Sequence, residues 1–348
     1  MWPATVYRTN GRYCMSEQDE RSKRPDEKGE RCRYPGRVAL DCSTLLEDVA
    51  AFEDALDGPA PVAVIGEPFA GRELILDHAT ERLGAKRVVL TPSADASAVV
   101  DQIGSEPVVF ENCQHLFDRR IGGFDGLAAA LGAIAGADTP VVTGWNSYAW
   151  TYLDAVQDVG TDFEQYPLEA IPRDALVEVI RSEVGSLPTF EAEELDETPY
   201  KTKRVELDWP DYDFSVPVPD AVALKRRLTP ISDPKRLVFS RLQSVSNGNP
   251  GVAVMLWNRC CTESTVAPSA IQLPSLDVDH DGAFLLRLAL AAETIHRELL
   301  EEWFGNRLDR YLGTFQRNNL LREDGRVVRI EPLGVPVAHE ITNTKQIL

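Results

Sequence analysis

The chain has 348 residues, of which 43% are hydrophobic, and a formal net charge of −19 at pH 7. This length suffices for two folded domains and a small module. The sequence contains no run of about 18 apolar residues and no charged-then-apolar leader, so we expect neither a membrane span nor a secretory signal. The six cysteines form no C-x-x-C pair and lack histidine partners at metal-ligand spacing, which predicts reduced thiols in a cytoplasm.

The basic residues are mostly arginine, because only 8 of the 36 are lysine. An acidic, lysine-poor surface suits a cytoplasm at very high salt, where charges are screened and carboxylates hold water. We therefore expect a salt-loving archaeal source. Because the acidity would then be an adaptation to salt, it does not exclude nucleic-acid binding.

Residues 1–36 open the chain with a dense mixture of both charges. The segment SEQDERSKRPDEKGERCR contains almost no apolar residue, so it cannot bury enough surface to offset the entropy of ordering. We predict a disordered, solvated tail over residues 1–36, with Met15 as an alternative start to Met1.

Residues 61–84 combine a buried strand, a glycine-bounded turn and an amphipathic helix. This order is that of a P-loop, in which backbone N–H groups and a helix N-terminus hold phosphates. The pattern G-x-x-x-x-G-K-[ST] keeps Gly66 and Gly71. However, Arg72 replaces the lysine, and Glu73 replaces the hydroxyl residue that completes a Mg²⁺ shell. The alternative is a strand-to-helix turn without any ligand.

The chain around this motif alternates between short apolar runs and helical patterns. A helix capped by Ser43 and extending to Leu56 precedes the P-loop strand. The strands predicted after it are residues 86–90, 107–111, 139–145 and 162–168, and the helices are 94–103, 123–136, 147–156 and 172–185. Such alternation predicts a parallel sheet covered on both faces.

The C-terminal half contains a different set of elements. Residues 187–236 are rich in Pro, Asp and Glu and predict a surface insertion with one strand pair around Val205–Trp209. Two helices follow at 236–248 and 248–261. Helices at 284–292, 295–304 and 308–321 then precede Asp324-Gly325, a hairpin signal within 322–330. Three helices and a hairpin are the outline of a winged helix-turn-helix.

Polar residues follow two of the predicted strands. Glu111 and Asn112 end one strand, where a P-loop ATPase keeps its metal-linked acid and its water-activating base. Thr143 and Asn146 lie at the end of another, where a polar side chain can reach a γ-phosphate. The alternatives are capping roles at a strand end or a helix start. Three arginines are weaker candidates for an arginine finger: Arg119, Arg120 and Arg173.

The order of these features resembles that of the AAA+ ATPases, particularly their STAND-like and archaeal relatives. GEPFAGRE, VVFEN, VVTGWN and SNGNPG stand in the order of Walker A, Walker B, sensor 1 and a lid motif, over about residues 43–335. A winged helix after the lid is common in such proteins, as in the archaeal origin initiators. The resemblance implies ATP or ADP and Mg²⁺ as cofactors. It assigns cofactor contacts to Gly66, Gly71, Arg72, Glu73 and Pro250, the metal to Glu111, and catalysis to Glu111 and Asn146.

The predicted winged helix carries a local positive charge. Residues 306–330 hold six arginines against three acids, a balance of +3. Arg317 and Asn318, with Gln316 and Asn319, are placed to reach base edges, and Arg326 and Arg329 to reach phosphates. The alternative is a protein-contact module.

The sequence therefore predicts an α/β protein with a parallel-sheet P-loop NTPase core, a helical lid and a C-terminal winged helix-turn-helix. The domain boundaries are 1–36 for the tail, 37–186 for the P-loop domain, 187–275 for insertion and lid, and 276–348 for the winged helix. We predict a nucleotide-binding regulatory or scaffold protein with weak or no ATP hydrolysis, acting on a protein partner or as a homo-oligomer. The alternatives are a DNA-binding protein that uses the P-loop domain as a scaffold, and an active ATPase of AAA+ type.

Overall fold

The computed structural model describes residues 5–9, 12–16, 40–92, 96–117, 122–191, 200–205, 214–219, 233–261 and 265–347. Several predictions lie outside these ranges. They are the charged segment 17–36, Arg119 and Arg120, and residues 206–209 of the predicted strand pair. Within the described ranges, none of the helices is both long enough and apolar enough to cross a bilayer.

A seven-stranded sheet forms the centre of the molecule, in the order β1-β2-β4-β5-β6-β3-β7. Its strands are β1 Thr5–Thr9, β2 Arg12–Ser16, β3 Val62–Gly66, β4 Lys86–Val89, β5 Val108–Glu111, β6 Val141–Asn146 and β7 Glu164–Pro167. The last five are mutually parallel, as the alternation predicted. The sequence did not predict β1 and β2, an antiparallel pair whose second strand extends the sheet in parallel with β4.

Helices cover both faces of this sheet because its central strands are buried on both sides. One face packs against α1 Cys42–Leu45, α2 Val49–Leu56, α3 Arg72–Leu83 and α7 Arg173–Val184. The other packs against α4 Ala96–Val100, α5 Asp125–Ala135 and α6 Ser147–Gln157. Buried strands of this kind are typical of parallel sheets with two helical layers.

The single helix predicted from Ser43 to Leu56 is wrong, because the chain breaks there into α1 and α2. Leu46 is extended, and the Asp48 carboxylate accepts a hydrogen bond from the Ala51 N–H at 2.9 Å, which starts a second helix. The cap of the first helix is Asp41 rather than Ser43. Acidic N-caps satisfy the free N–H groups of a helix start.

The region after the sheet contains small strands and a helical pair. Strand β8 Thr189–Phe190 pairs with β11 Thr265–Val266, and β9 Tyr200–Val205 pairs with β10 Phe214–Pro219. The predicted helical pair is α8 Pro234–Ser246 and α9 Pro250–Cys260. Asn249 caps α9, and Pro250 occupies its first turn, where a missing N–H costs nothing.

The C-terminal segment, residues 280–344, is called the C-terminal module below. It consists of α10 His280–Ala292, β12 Thr294–His296, α11 Arg297–Phe304, α12 Leu308–Arg317, β13 Leu321–Asp324, β14 Val327–Ile330 and α13 Gly334–Thr344. The predicted hairpin is confirmed as β13 and β14. The predicted helix start at Ile295 is wrong, because residues 294–296 form a strand against β14 with Ile295 buried.

The hydrophobic core joins these regions rather than separating them. One cluster of buried side chains runs from Leu45 through the helical pair to Ala338 in the C-terminal module. The second cluster fills the opposite face of the sheet. The module is therefore packed against the sheet and the helical pair through shared apolar contacts.

Candidate functional site

The loop at residues 66–73 joins β3 to α3 in the strand, loop and helix arrangement that the sequence predicted. Gly71, which precedes the first helical residue, has a φ of +98°, a conformation that residues with a side chain rarely adopt. A Cβ atom there would also lie 3.0 Å from Leu45 Cδ1. The second motif glycine is thus required by the backbone and by packing, whether or not a phosphate binds.

The Arg72 side chain points inward and is only 6% exposed. Its Nη1 donates to the backbone carbonyls of Gly66 at 3.1 Å and Trp145 at 3.2 Å. Its Nη2 donates to Asn112 Oδ1 at 3.1 Å and to Glu293 Oε1 at 2.9 Å. The cation at the P-loop lysine position is therefore bound by the protein's own acceptors.

Glu293 follows α10 in the C-terminal module and is the residue that the sequence reasoning missed. Its carboxylate forms an ion pair with Arg72 and accepts a second hydrogen bond from Asn146 Nδ2 at 2.9 Å. Its backbone adopts φ 62° and ψ −41°, a conformation that strains a residue with a side chain. The backbone is fixed there because Glu293 N–H donates to Ala289 and its carbonyl accepts from Ile330. The fold thus keeps a carboxylate where glycine would be less strained.

Asn146 connects β6, α6 and the C-terminal module. Its Oδ1 accepts from the N–H groups of Tyr148 and Ala149, so it caps α6, as the structural alternative predicted. Its Nδ2 donates to the Leu290 carbonyl as well as to Glu293. Thr143 lies deeper and accepts from Trp145 Nε1 while donating to a β3 carbonyl. Neither side chain is presented at an open surface.

Glu111 ends β5 and is 8% exposed. Its Oε2 accepts from Arg87 at 2.7 Å and 3.1 Å, and Arg87 also pairs with Asp77. Arg87 is 1% exposed, so it needs carboxylate partners to remain charged inside the protein. The predicted metal ligand is therefore engaged by a buried arginine. Among the described residues, no group of three or more His, Cys, Asp or Glu could hold a metal ion.

The helical pair lies directly against the loop. Asn249 Nδ2 donates to the Pro68 carbonyl at 2.9 Å, and the Gly251 N–H donates to the Phe69 carbonyl at 3.2 Å. A Cβ atom on Gly251 would lie 2.6 Å from Phe69 Cβ, so the two backbones approach as closely as glycine permits. Pro250, between these two residues, is also buried. The start of α9 therefore covers this side of the loop.

These residues do not fit a magnesium nucleotide in the observed arrangement. Arg72 has a carboxylate partner already, and Glu73 stands in the first helical turn in place of the metal-binding hydroxyl. Glu67 lies in the loop and accepts from Tyr148 Oη at 2.8 Å. Three carboxylates, on Glu67, Glu73 and Glu293, therefore lie in or against a loop of eight residues, where they repel a polyphosphate.

A cavity of about 540 Å³ opens beside the loop rather than over it. Glu67 and Tyr148 form part of its wall, and the rest comes from α8, Gln272, Leu273 and α13. Glu340 adds a second carboxylate and Arg241 a cation. The motif residues Gly66, Gly71 and Arg72 are not on this wall.

The arginines of the C-terminal module have acidic neighbours that the count over residues 306–330 did not include. Arg307 pairs with Asp281, and Arg310 pairs with Asp279 at 3.1 Å. Both acids lie on the chain before the counted window. The net positive charge around these arginines is therefore smaller than the +3 counted along residues 306–330.

The arginine and asparagine side chains predicted to contact DNA do not form one cluster. Arg317 donates to Thr314 Oγ1 at 3.3 Å, and Asn318 donates to the Thr314 carbonyl at 2.9 Å. Arg326, at the hairpin turn, is 88% exposed and lies 4.0 Å from Glu298. Arg329 is an exposed residue of β14. DNA contact by these side chains stays a prediction.

No protein-family model and no curated protein matches this sequence. The RuvB Holliday junction branch migration motor of Thermotoga maritima is 10% identical, with 90% of this chain and 99% of that chain covered and a TM-score of 0.39. A STAND protein with a tetratricopeptide repeat sensor from Pyrococcus horikoshii is 10% identical, with 86% and 43% covered and a TM-score of 0.35. Cdc6p of Pyrobaculum aerophilum is 13% identical, with 84% and 91% covered and a TM-score of 0.32.

At these identities and TM-scores the likenesses carry no argument about activity. The five parallel strands β4-β5-β6-β3-β7, with the glycine loop between β3 and α3, match the core of a P-loop NTPase. The predicted parallel-sheet P-loop core is thereby confirmed.

Proposed function

We propose that this chain is a regulatory or scaffold protein with a P-loop fold and weak or no ATP hydrolysis. The observation that carries the proposal is the binding of Arg72 by two backbone carbonyls, Asn112 and Glu293. The cation that would neutralise phosphates instead neutralises a carboxylate of the same chain. Nucleotide and Mg²⁺ binding stay predictions, and the arrangement argues against them.

In this role, the loop at residues 66–73 is coupled to the C-terminal module. Glu293 belongs to the C-terminal module, whereas Arg72 begins α3 at the edge of the sheet. The ion pair therefore joins two residues separated by 221 positions along the chain. A partner that turned or released the module would separate Arg72 from Glu293. Whether Arg72 in the loop is paired with Glu293 would thus depend on the position of the C-terminal module. A protein partner or a second copy of the chain is the expected target.

Phosphate release from ATP tests the absence of hydrolysis. We expect the full chain with Mg²⁺ in molar KCl to release phosphate no faster than the buffer, because Glu111 is bound to Arg87 and Asn112 stands at the position of the catalytic base. Any residual release should be the same in Arg72→Ala. Turnover that depends on Arg72 would overturn the proposal and favour an active ATPase.

DNA binding through the C-terminal module is the second candidate. It is supported by the element order of helix, strand, two helices and hairpin, which is that of a winged helix, and by the exposure of Arg326 at the hairpin turn. Gel-shift titrations at several salt concentrations test it. If the module contacts phosphates, Arg326→Ala reduces affinity and the salt dependence, whereas Arg181→Ala on α7 leaves both unchanged. Equal curves for both variants would remove this candidate.

A further inference from the structure

A second cavity lies between the turn after β5, α6 and the C-terminal module. Its volume is about 80 Å³, and it is open on one side. The sheet contributes Gln114, His115 and Phe117, from the turn after β5, and the module contributes Ile295, Leu299 and Trp303. This space is called the junction cleft below. The predictions from the sequence assign no role to it.

The Gln114 side chain is an unexplained polar group in this mostly apolar cleft. The residue is 3% exposed, and neither its Oε1 nor its Nε2 has a hydrogen-bond partner among the described residues. An unpaired buried amide destabilises a fold, and native structures contain few of them. A leucine at position 114 would occupy a similar volume without this cost. The amide is therefore expected to meet a partner that the described part of the chain does not supply.

The remaining lining indicates that the partner is uncharged. None of the described residues that line the cleft is Asp, Glu, Lys or Arg. Glu293 and Arg72 act on His115 from nearby, but their charges oppose each other and form an ion pair. Burial lowers the pKa of His115 to about 4, so its imidazole is neutral near pH 7. A charged ligand would lose its hydration without gaining a counter-charge.

We propose that the junction cleft binds a small, neutral, planar molecule that carries a hydrogen-bond donor and an acceptor side by side, such as a lactam or a primary amide. The carboxamide of Gln114 has the complementary pair, an N–H₂ donor and a carbonyl acceptor. Ile295, Leu299 and Trp303 provide the apolar surface for the rest of the molecule. At about 80 Å³ the junction cleft is smaller than the apolar cavity of about 150 Å³ that holds benzene. It therefore encloses the amide group, and the rest of a one-ring ligand lies at its open side.

Binding in this cleft would contact both the sheet and the C-terminal module. A ligand that touches both parts favours the arrangement in which they are packed together. The inference stands without the proposed function, because it depends on Gln114 and the cleft and not on Arg72.

The test uses 2-pyridone, a one-ring lactam, and N-methyl-2-pyridone, in which a methyl group replaces the N–H donor. The full chain is labelled with ¹⁵N-tryptophan, and the indole signal of Trp303 is assigned from the spectrum of Trp303→Phe. We expect a saturable shift of this signal with 2-pyridone and at least about tenfold weaker binding of the N-methyl compound, because one hydrogen bond is lost.

Gln114→Leu should weaken 2-pyridone binding by about tenfold or more, whereas Gln157→Leu, at the exposed end of α6, should leave it unchanged. Equal affinity for both compounds, or no saturable shift, would overturn the proposal and indicate that Gln114 meets ordered water only. If Gln114→Leu does not fold, benzene decides on the unsubstituted chain, because it has a ring of similar size and neither donor nor acceptor. Binding of benzene as tight as that of 2-pyridone would overturn the proposal.

Discussion

Removing the Glu293 carboxylate should destabilise the protein more than removing an exposed carboxylate does. Glu293→Ala deletes the acceptor of two hydrogen bonds of 2.9 Å, one from Arg72 and one from Asn146. Breaking a buried ion pair by removing one partner costs about 3–5 kcal/mol. The Glu293 side chain is 23% exposed and Arg72 keeps three neutral acceptors, so we expect a cost at or just below the lower end of this range, about 2–3 kcal/mol.

Urea unfolding at constant molar KCl, followed by tryptophan fluorescence, measures this change. Glu293→Gln keeps an acceptor oxygen and should lose only about 1 kcal/mol. Glu178→Ala is the matched control, because Glu178 forms an ion pair with Arg181 on the exposed side of α7. This substitution should cost less than about 0.5 kcal/mol. The reasoning is refuted if Glu293→Ala and Glu178→Ala lower the free energy of unfolding equally.

Three further predictions concern packing, pH and salt. Gly251→Ala should lower the free energy of unfolding in urea by about 1–3 kcal/mol, because its Cβ would overlap Phe69. The control Gly132→Ala in α5 meets open space and should not destabilise the protein. Equal effects of the two substitutions would contradict this. Burial lowers the His115 pKa to about 4, so the unfolded chain binds a proton first as the pH falls below 6.5. Stability should therefore drop by at most about 3 kcal/mol between pH 6.5 and 4, and His115→Gln should flatten that slope in urea unfolding; an unchanged slope would contradict this. The melting temperature should rise from low to multimolar KCl if the surface is adapted to salt, and equal melting temperatures would remove that prediction.

Much of the fold was predictable because its signals are local. The central parallel strands β3, β5 and β6 are short, mostly apolar runs, and Gly71 lies where the backbone requires a left-handed residue. The errors also have local causes. Asp48 starts a new helix within an apolar pattern of helical spacing, and Ile295 joins a strand because β14, which lies later in the chain, supplies its partner.

The candidate site was predictable only in part, because its decisive contact is not local. The sequence placed Arg72, Asn112 and Asn146 at one edge of the sheet, and the structure brings their side chains together. Glu293 lies far along the chain in a segment without a motif, and nothing in the pattern indicates that it reaches the loop. Arg87 was missed for a related reason, since a basic residue in a strand reveals its buried partner only when the strands are paired.

Calorimetric titration of the full chain with ATP and Mg²⁺ in molar KCl tests the central claim most directly. If Arg72 is committed to Glu293 and the loop is covered by Gly251, the titration should show no saturable heat up to millimolar nucleotide, and the melting temperature should not change. A dissociation constant in the micromolar range, with a rise in melting temperature that Arg72→Ala abolishes, would contradict the account.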